Sequence, residues 1–223
     1  RATRLPARLT TELARETSAA HALWREARSC NRAEVFAPAL ARIVALKREE
    51  AACLTEPGAD PYDALLDDFE PGMTAAEAGR LLSARRPGLT ELRARLAERP
   101  LDSPRPRGSF PQAAQLALAR ELATRFGYDW QAGRLDLAEH PFSSGTDEDM
   151  RIPTRIDPHS PFECIYATIH ETGHAVYEQG IDPALALSPA GAEASTAIHE
   201  SQARLFENQL GRSRAFCGWL QGA

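Results

Sequence analysis

Apolar residues recur every three or four positions through the first hundred residues, with charged residues between them. One such stripe lies in residues 8–28 and a second in residues 35–54. This spacing predicts two amphipathic helices, because every third or fourth residue of an α-helix falls on the same face. Pro-Gly pairs at 57–58 and 71–72 interrupt the pattern and predict that the chain turns there. The first hundred residues are therefore predicted to be helical.

A further helix is predicted to begin at Thr74. Glu77 stands three residues later, which is the spacing of a capping box, where two side chains satisfy backbone N–H groups at a helix start. The Pro-Gly pair at 87–88 predicts a break within this helix. Residues 104–111 contain three prolines and a glycine, which predict a connector, and a helix is expected over residues 112–125.

Extended character appears only after this connector. Residues 140–157 (HPFSSGTDEDMRIPTRID) hold two short pieces suited to strands around a Ser-Ser-Gly-Thr-Asp turn, which predicts a β-hairpin. A helix is predicted over about residues 160–180, and a second one from about residue 193 to beyond residue 210. We expect an N-terminal helical part, residues 1–105, and a second part, residues 106–223, within one continuous domain.

The composition is that of an ordinary globular protein, with 43% hydrophobic and 26% charged residues. The formal net charge of −5 argues against a nucleic-acid surface. No run approaches the ~18 apolar residues of a membrane-spanning helix, and no apolar signal segment follows the opening arginines. The four cysteines lie far apart without a C-x-x-C pair, so we predict buried thiols in a reducing compartment and a cytoplasmic protein.

The stretch IHETGHAVYEQG, residues 169–180, sets two histidines four residues apart. On a helix they project from one face, so His170 and His174 can bind one ion. Glu171 is rotated roughly 100° from His170, which places its carboxylate beside the ion, where it can take a proton from metal-bound water. This arrangement is the physical basis of the H-E-x-x-H zinc motif. Alone, the pair is equally well explained as a solvated helix face or a chance arrangement.

Zinc needs a third protein ligand and leaves a fourth position open for water. Glu200 follows His174 by 26 residues, a gap long enough for a loop and a returning helix, so it can complete a His-His-Glu set. His199 is the rival ligand. On a helix it points away from an ion that Glu200 reaches, so we expect it to support the ligands or to line a substrate pocket. Without the histidine pair, Glu200 would be an ordinary exposed carboxylate.

Segments along almost the whole chain resemble the carboxypeptidase Taq family, the M32 metallocarboxypeptidases. They stand in the family's order and include YDALLDDFEPGMT, FPQ, FGYDW, AGRLDLAEHPF, HETGHAVYEQG and IHESQARLFENQLGRS. The resemblance implies a mainly α-helical gluzincin fold with a small β-sheet or hairpin beside the metal helix. It implies His170, His174 and Glu200 as zinc ligands and Glu171 as the catalytic glutamate. Ligands of this kind also accept Co²⁺ or Mn²⁺.

Other positions that match family motifs have weaker support. His140, in H-P-F, and Arg151, in D-x-R-x-T, are candidates for contacting substrate or supporting the metal ligands. His199 and Gln202, in the HESQ segment, are candidates of the same kind. Arg151 is as well explained by an ion pair with a nearby aspartate, and His140 by a structural role. Pro153 stands where D-x-R-x-T has its threonine, so the local backbone is expected to differ.

The leading prediction is a zinc-dependent metallocarboxypeptidase that removes C-terminal residues from peptides. Family members are much longer, so the resemblance implies a chain that lacks the C-terminal half. The alternative is therefore a catalytically incompetent helical module that binds metal or a partner, and a third reading is that the natural protein is longer. The resemblance further implies a homodimer. No nucleic-acid or membrane partner is expected.

Overall fold

The computed structural model describes residues 2–99, 108–138, 143–146, 148–186 and 188–222. The chain divides into two compact units, Arg1–Arg99 and Pro100–Ala223. The boundary predicted at residue 105 lies outside the described residues. The expectation that both parts form one continuous domain stays a prediction.

The described part of the first unit is helical, as predicted. Its α-helices are α1 (Ala7–Cys30), α2 (Ala37–Leu54), α3 (Pro61–Leu66) and α4 (Ala75–Ala97). The buried side chains of α1 and α2 follow the predicted stripes, with Leu9 and Leu46 at 0% and 2% exposure. Helix α1 ends at Asn31, which takes the left-handed conformation with φ of 52°. Asparagine tolerates this conformation better than most residues, so it can end a helix as glycine does.

Helix α4 begins where predicted but continues past the predicted break. The Thr74 side chain accepts a hydrogen bond from the Glu77 backbone N–H at 3.2 Å, as an N-cap should. The helix runs through Pro87, so the prediction of a break there is wrong. A proline inside a helix costs about 3 kcal/mol. Leucine, arginine and alanine on both sides are strong helix formers that oppose this cost.

The second unit is built around one central helix. Its α-helices are α5 (Gln112–Arg125), α6 (Phe162–Gln179), α7 (Thr196–Arg204) and α8 (Arg214–Leu220), and a π-helical segment, Leu205–Leu210, continues α7. The bounds predicted for α5 are confirmed. The long helix predicted from residue 193 is shorter, because Ser195 caps α7 through the Ile198 N–H and the chain widens into π geometry after Arg204.

Two short strands form the sheet of the described residues. Strand β1 (Gly133–Leu137) pairs in parallel with β2 (Met150–Thr154), in a register that joins Gly133 to Met150 and Leu137 to Thr154. Among the described residues of this segment, the predicted hairpin is reduced to one antiparallel bridge between Ser144 and Arg151. The main partner of β2 is thus β1, which the sequence reasoning missed. The predicted mainly α fold with a small sheet is confirmed.

Helix α6 is held between this sheet and α5. Ile152 of β2, Ala123 of α5 and Ala175 of α6 are fully buried in one cluster. Thr154, one residue after the position at which D-x-R-x-T has its threonine, is also fully buried. Its hydroxyl lies 3.0 Å from the Thr168 hydroxyl on α6. The displaced threonine therefore anchors the strand to the helix that carries the histidines.

The four cysteines are free thiols with different environments. Cys164 is buried, Cys53 is half-buried, and Cys30 and Cys217 are exposed. The prediction of buried thiols is therefore wrong for Cys30 and Cys217, which lie on exposed positions of α1 and α8. Within the described residues, no helix is both long enough and apolar enough to cross a lipid bilayer.

Tyr128 gives the second unit a predicted sensitivity to alkali. Its hydroxyl donates to the Met150 carbonyl at 2.5 Å. Burial, with nearby aspartates, raises the pKa of Tyr128 to about 12. Because the folded-state pKa lies above the unfolded one, its contribution to stability is complete below pH ~10 and is lost as pH rises towards ~12.

Ionisation of Tyr128 between pH ~10 and pH ~12 is therefore expected to lower the free energy of unfolding by up to ~3 kcal/mol. Tyr128→Phe should lose about 1 kcal/mol at neutral pH with the hydrogen bond and should show a shallower alkaline fall. Urea unfolding of both proteins between about pH 9 and pH 12 measures the difference. Parallel pH profiles of the two proteins would contradict the assignment.

Candidate metal centre

Helix α6 places both histidines of the H-E-x-x-H motif on one partly buried face. The side chains of His170 and His174 are 17% and 13% exposed, and their Nε2 atoms lie 3.2 Å apart. This follows from the helical repeat, which brings residues four apart to neighbouring positions. Glu171 points elsewhere and is only 5% exposed.

Helix α7 brings Glu200 to the same point. Its Oε2 atom lies 3.3 Å from His174 Nε2 and 3.6 Å from His170 Nε2. Ligands of a tetrahedral zinc ion, at about 2.0–2.1 Å from the metal, lie about 3.3–3.4 Å from one another. The three atoms are thus spaced as zinc requires, and the residues present fit a divalent metal ion.

Protonation supports the same conclusion. His170 Nδ1 lies 3.0 Å from Glu207 Oε2, and a proton on this nitrogen would leave the lone pair on Nε2. Burial lowers the pKa of His174 to about 4, and the neighbouring His199 and His170 contribute to this shift. His174 is therefore neutral at neutral pH. A single proton can bind to only some of the three converging atoms, His170 Nε2, His174 Nε2 and Glu200 Oε2. A divalent cation accepts a lone pair from each of them.

Gly173 determines how closely α6 and α7 approach. A Cβ atom at this position would lie 2.6 Å from the Ala203 Cα and 3.1 Å from the Gln202 carbonyl oxygen. Both are backbone atoms of α7, so the clash cannot be relieved by rotating a side chain. Gly173 therefore permits the contact that carries Glu200 to the histidines.

We expect Gly173→Ala to separate α6 from α7 and to destabilise the protein by about 1–2 kcal/mol. Overpacking costs about 1–3 kcal/mol, and the better helix propensity of alanine, worth up to ~1 kcal/mol, offsets part of it. Gly218→Ala is the matched control, since that helical glycine has no atom near its Cβ position. Chemical unfolding measures both, and metal affinity should fall only for the Gly173 variant. Equal stability of the two variants would contradict this packing role.

Glu171 is held beside the cluster by the segment before β2. The Ser143 backbone N–H donates to Glu171 Oε2 at 2.5 Å. Burial raises the pKa of Glu171 above that of an ordinary glutamate, and His170 and the Ser143 hydrogen bond oppose it only in part. The carboxylate is therefore a better proton acceptor than an exposed one.

Sequence reasoning missed Glu207. This residue lies in the π-helical segment, and its side chain is 14% exposed. Burial alone would raise the pKa of Glu207, but hydrogen bonds from Arg212 and His170 outweigh it, so the pKa lies below the usual value. The spacing of Glu200 and Glu207, two helical turns apart on one face, was the available signal. The H-E-x-x-H motif gave no reason to consider a second carboxylate at this spacing.

His199 lies against the cluster without facing the ligand point. Its ring stacks on His174 at 4.4 Å between ring centroids. Its Nε2 lies 3.0 Å from Glu178 and its Nδ1 3.2 Å from Glu193. His199 thus packs against His174 and forms a second cluster of possible ligands with the two glutamates.

The profile of the Carboxypeptidase Taq (M32) metallopeptidase family matches residues 1–223. The chain belongs to the M32 metallopeptidase family. It is 41% identical over 228 residues to Thermostable carboxypeptidase 1 of Thermus thermophilus, and 35% identical over 205 residues to Carboxypeptidase 1 of Bacillus subtilis.

Solved M32 structures share the fold. The BsuCP crystal structure has a TM-score of 0.89 at 32% identity and covers 94% of this chain. The M32 carboxypeptidase from Deinococcus radiodurans R1 has a TM-score of 0.84 at 36% identity and covers 99% of it. The chain spans 44% of the Thermus protein, 40% of the Bacillus protein, and 43% and 46% of these two structures.

The structure describes two of the three remaining predicted site residues of this M32 chain, Arg151 and Gln202. Arg151 is exposed and forms a two-nitrogen ion pair with Asp149, with contacts of 2.6–3.2 Å. Its backbone, through the bridge to Ser144, supports the segment that holds Glu171. Gln202 is half-buried on α7 beside Gly173. His140 lies outside the described residues.

Proposed function

We propose that this chain forms the zinc-binding catalytic part of a metallocarboxypeptidase that removes C-terminal residues from peptides. The observation that carries the proposal is the convergence of His170 Nε2, His174 Nε2 and Glu200 Oε2 within 3.2–3.6 Å of one another. Membership of a family whose relatives are named carboxypeptidases supports the reaction class. Two imidazoles and one carboxylate, with a fourth position for water, are a donor set typical of catalytic zinc.

His170, His174 and Glu200 would hold the metal. When bound, the ion supplies a water of lowered pKa and polarises the carbonyl group of the scissile bond. Nitrogen and oxygen ligands of this kind also accept Co²⁺ or Mn²⁺, so zinc is the proposal and metal analysis tests it. Burial lowers the pKa of His174 to about 4, which preserves the lone pair of its ring for binding at neutral pH.

Glu171 would act as the general base. Its carboxylate takes a proton from the attacking water and then transfers it to the leaving amine. The Ser143 N–H holds one carboxylate oxygen in place, so the side chain need not be ordered during the reaction. The raised pKa of Glu171 brings its proton affinity closer to that required at neutral pH.

The alternative function is a metal-binding or interaction module without activity. The observation that favours it is the coverage, because the chain spans less than half of each relative compared above.

Peptide hydrolysis by the 223-residue chain distinguishes the two. Peptides with a blocked N-terminus and a free C-terminus are incubated with the zinc-loaded protein, and mass spectrometry follows the loss of single C-terminal residues. Matched peptides with an amidated C-terminus should be left intact. Stoichiometric zinc binding without any hydrolysis would support the module and contradict the peptidase proposal for this chain.

Two predictions from the sequence remain separate from this proposal. The homodimer is tested by sedimentation of the chain over a range of concentrations. The cytoplasmic location is tested by fractionation of the source cells. Neither result affects the chemistry proposed for the metal centre.

A further inference from the structure

Glu207 contacts the nitrogen of His170 that faces away from the ligand point. The distance from Glu207 Oε2 to His170 Nδ1 is 3.0 Å, whereas Glu200 Oε2 lies 3.6 Å from Nε2 of the same ring. The two carboxylates therefore bracket one imidazole. Residues seven apart on a helix share a face about two turns apart, so α7 and its π-helical continuation deliver both.

We propose that Glu207 is a positioning residue that holds His170 in the Nδ1–H tautomer and thereby presents its Nε2 lone pair to the metal. This inference rests on the metal site of the proposed function and assigns Glu207 no contact with substrate or ion. A free neutral imidazole in water favours the opposite tautomer, with the proton on Nε2. A carboxylate that accepts from Nδ1–H reverses that preference and fixes the ring orientation.

The surroundings of Glu207 keep its carboxylate available for this role. Arg204 donates to Oε2 at 3.1 Å and Arg212 donates to Oε1 at 2.8 Å. Two cations beside a mostly buried carboxylate keep it ionised, and an ionised group is the stronger acceptor for the imidazole N–H. Both oxygens are thus engaged, so Glu207 is not a fourth metal ligand.

Arg204 links this carboxylate to the third ligand. Its Nε donates to Glu200 Oε1 at 2.6 Å, which leaves Oε2 of Glu200 directed at the histidines. One guanidinium therefore restrains Glu200 and Glu207 together. Arg204 is consequently unsuitable as a control, because its loss would disturb a ligand directly.

The π-helical segment explains how Glu207 reaches α6. The segment is followed by Gly211, where a Cβ would lie 2.9 Å from the Glu207 carbonyl oxygen and 3.2 Å from the Ile169 side chain. The widened turn is thus packed against the residue that precedes His170. Single π-helical turns are rare and occur frequently at functional sites.

The first test is the tautomer of His170 in the metal-free 223-residue chain. Nitrogen-15 NMR should show Nδ1 protonated and Nε2 unprotonated in the parent protein, with the signals assigned by loss in His170→Gln. Glu207→Ala should shift the population towards Nε2–H, whereas Glu207→Gln, which retains an acceptor oxygen, should shift it less. A parent His170 with the proton mainly on Nε2 would overturn the inference.

The second test is metal affinity. Glu207→Ala should weaken Zn²⁺ binding by about 10–100-fold, the usual effect of losing a carboxylate behind a metal-bound histidine. Arg212→Ala is the matched control, since it removes one ion pair of Glu207 but leaves Glu207 against His170. It should weaken binding much less. Equal losses in the two variants would indicate a structural role for the cluster and overturn the inference.

These outcomes separate the inference from the proposed function. A chain that binds Zn²⁺ through His170 but hydrolyses no peptide would refute the peptidase proposal and leave the role of Glu207 intact. If Glu207→Ala does not fold, the tautomer of His170 in the parent protein still decides the question.

Discussion

Glu171→Gln is expected to lower peptide hydrolysis by about 10²–10⁴-fold, the usual contribution of a general acid–base group, while the metal stays bound. Glutamine has nearly the same shape but cannot accept a proton at its amide. The proposed metal ligands are His170, His174 and Glu200, so removal of this negative charge leaves the proposed coordinating atoms in place. Single-turnover hydrolysis and metal content, measured on the same preparation, check the prediction.

Glu163→Gln is the matched control for this experiment. It lies in the first turn of the same helix, α6, and its exposed side chain pairs with Arg155. Its activity should equal that of the parent. If Glu171→Gln retained activity within about tenfold of the parent, the proton-transfer role of Glu171 would be wrong.

Glu200→Gln should lose bound zinc, with a fall in affinity of about 100-fold or more. Removing a supporting carboxylate costs about 10–100-fold, and removing a ligand costs at least as much. Charge is central here, because the amide oxygen of glutamine is a weaker donor to a divalent ion than a carboxylate. Equilibrium dialysis against Zn²⁺ with metal analysis measures the loss.

Glu193→Gln is a close control, because Glu193 and Glu200 are 40% and 39% exposed and each lies 3.2–3.3 Å from a histidine nitrogen. Glu193 belongs to the second cluster, with Glu178 and His199. Retention of zinc by Glu193→Gln and its loss from Glu200→Gln would place the ion as proposed. The reverse pattern would assign the ion to the second cluster and exclude the proposed site.

The spacing of apolar residues was sufficient to predict the helices around the site. The bounds of α5 were predictable because its apolar positions repeat at helical intervals and Pro111 precedes it. Ser160 and Glu163 stand at the spacing of a capping box, but no such box forms, since Pro161 is the N-cap without a side-chain hydrogen bond. Glu163 instead pairs with Arg155, a partner that its neighbours in sequence could not reveal.

The small sheet was harder to predict for a physical reason. Neighbouring extended segments suggest a hairpin, but the preferred partner of β2 is β1, which lies earlier in the chain, beyond residues 138–149, and runs parallel to it. Strand pairing is decided by which faces can be buried together, and here Ile152 packs against Ala123 and Ala175. These contacts join residues far apart in sequence.

The sequence by itself determined the helical class, the two histidines on one helix face, and the glutamate beside them, because these depend on spacing within one helix. It also indicated Glu200 as a partner. Only the tertiary structure decided that Gly173 allows α7 to approach, that Ser143 holds Glu171, and that Glu207 lies behind His170. Those features depend on packing between separate segments, which helical periodicity does not encode.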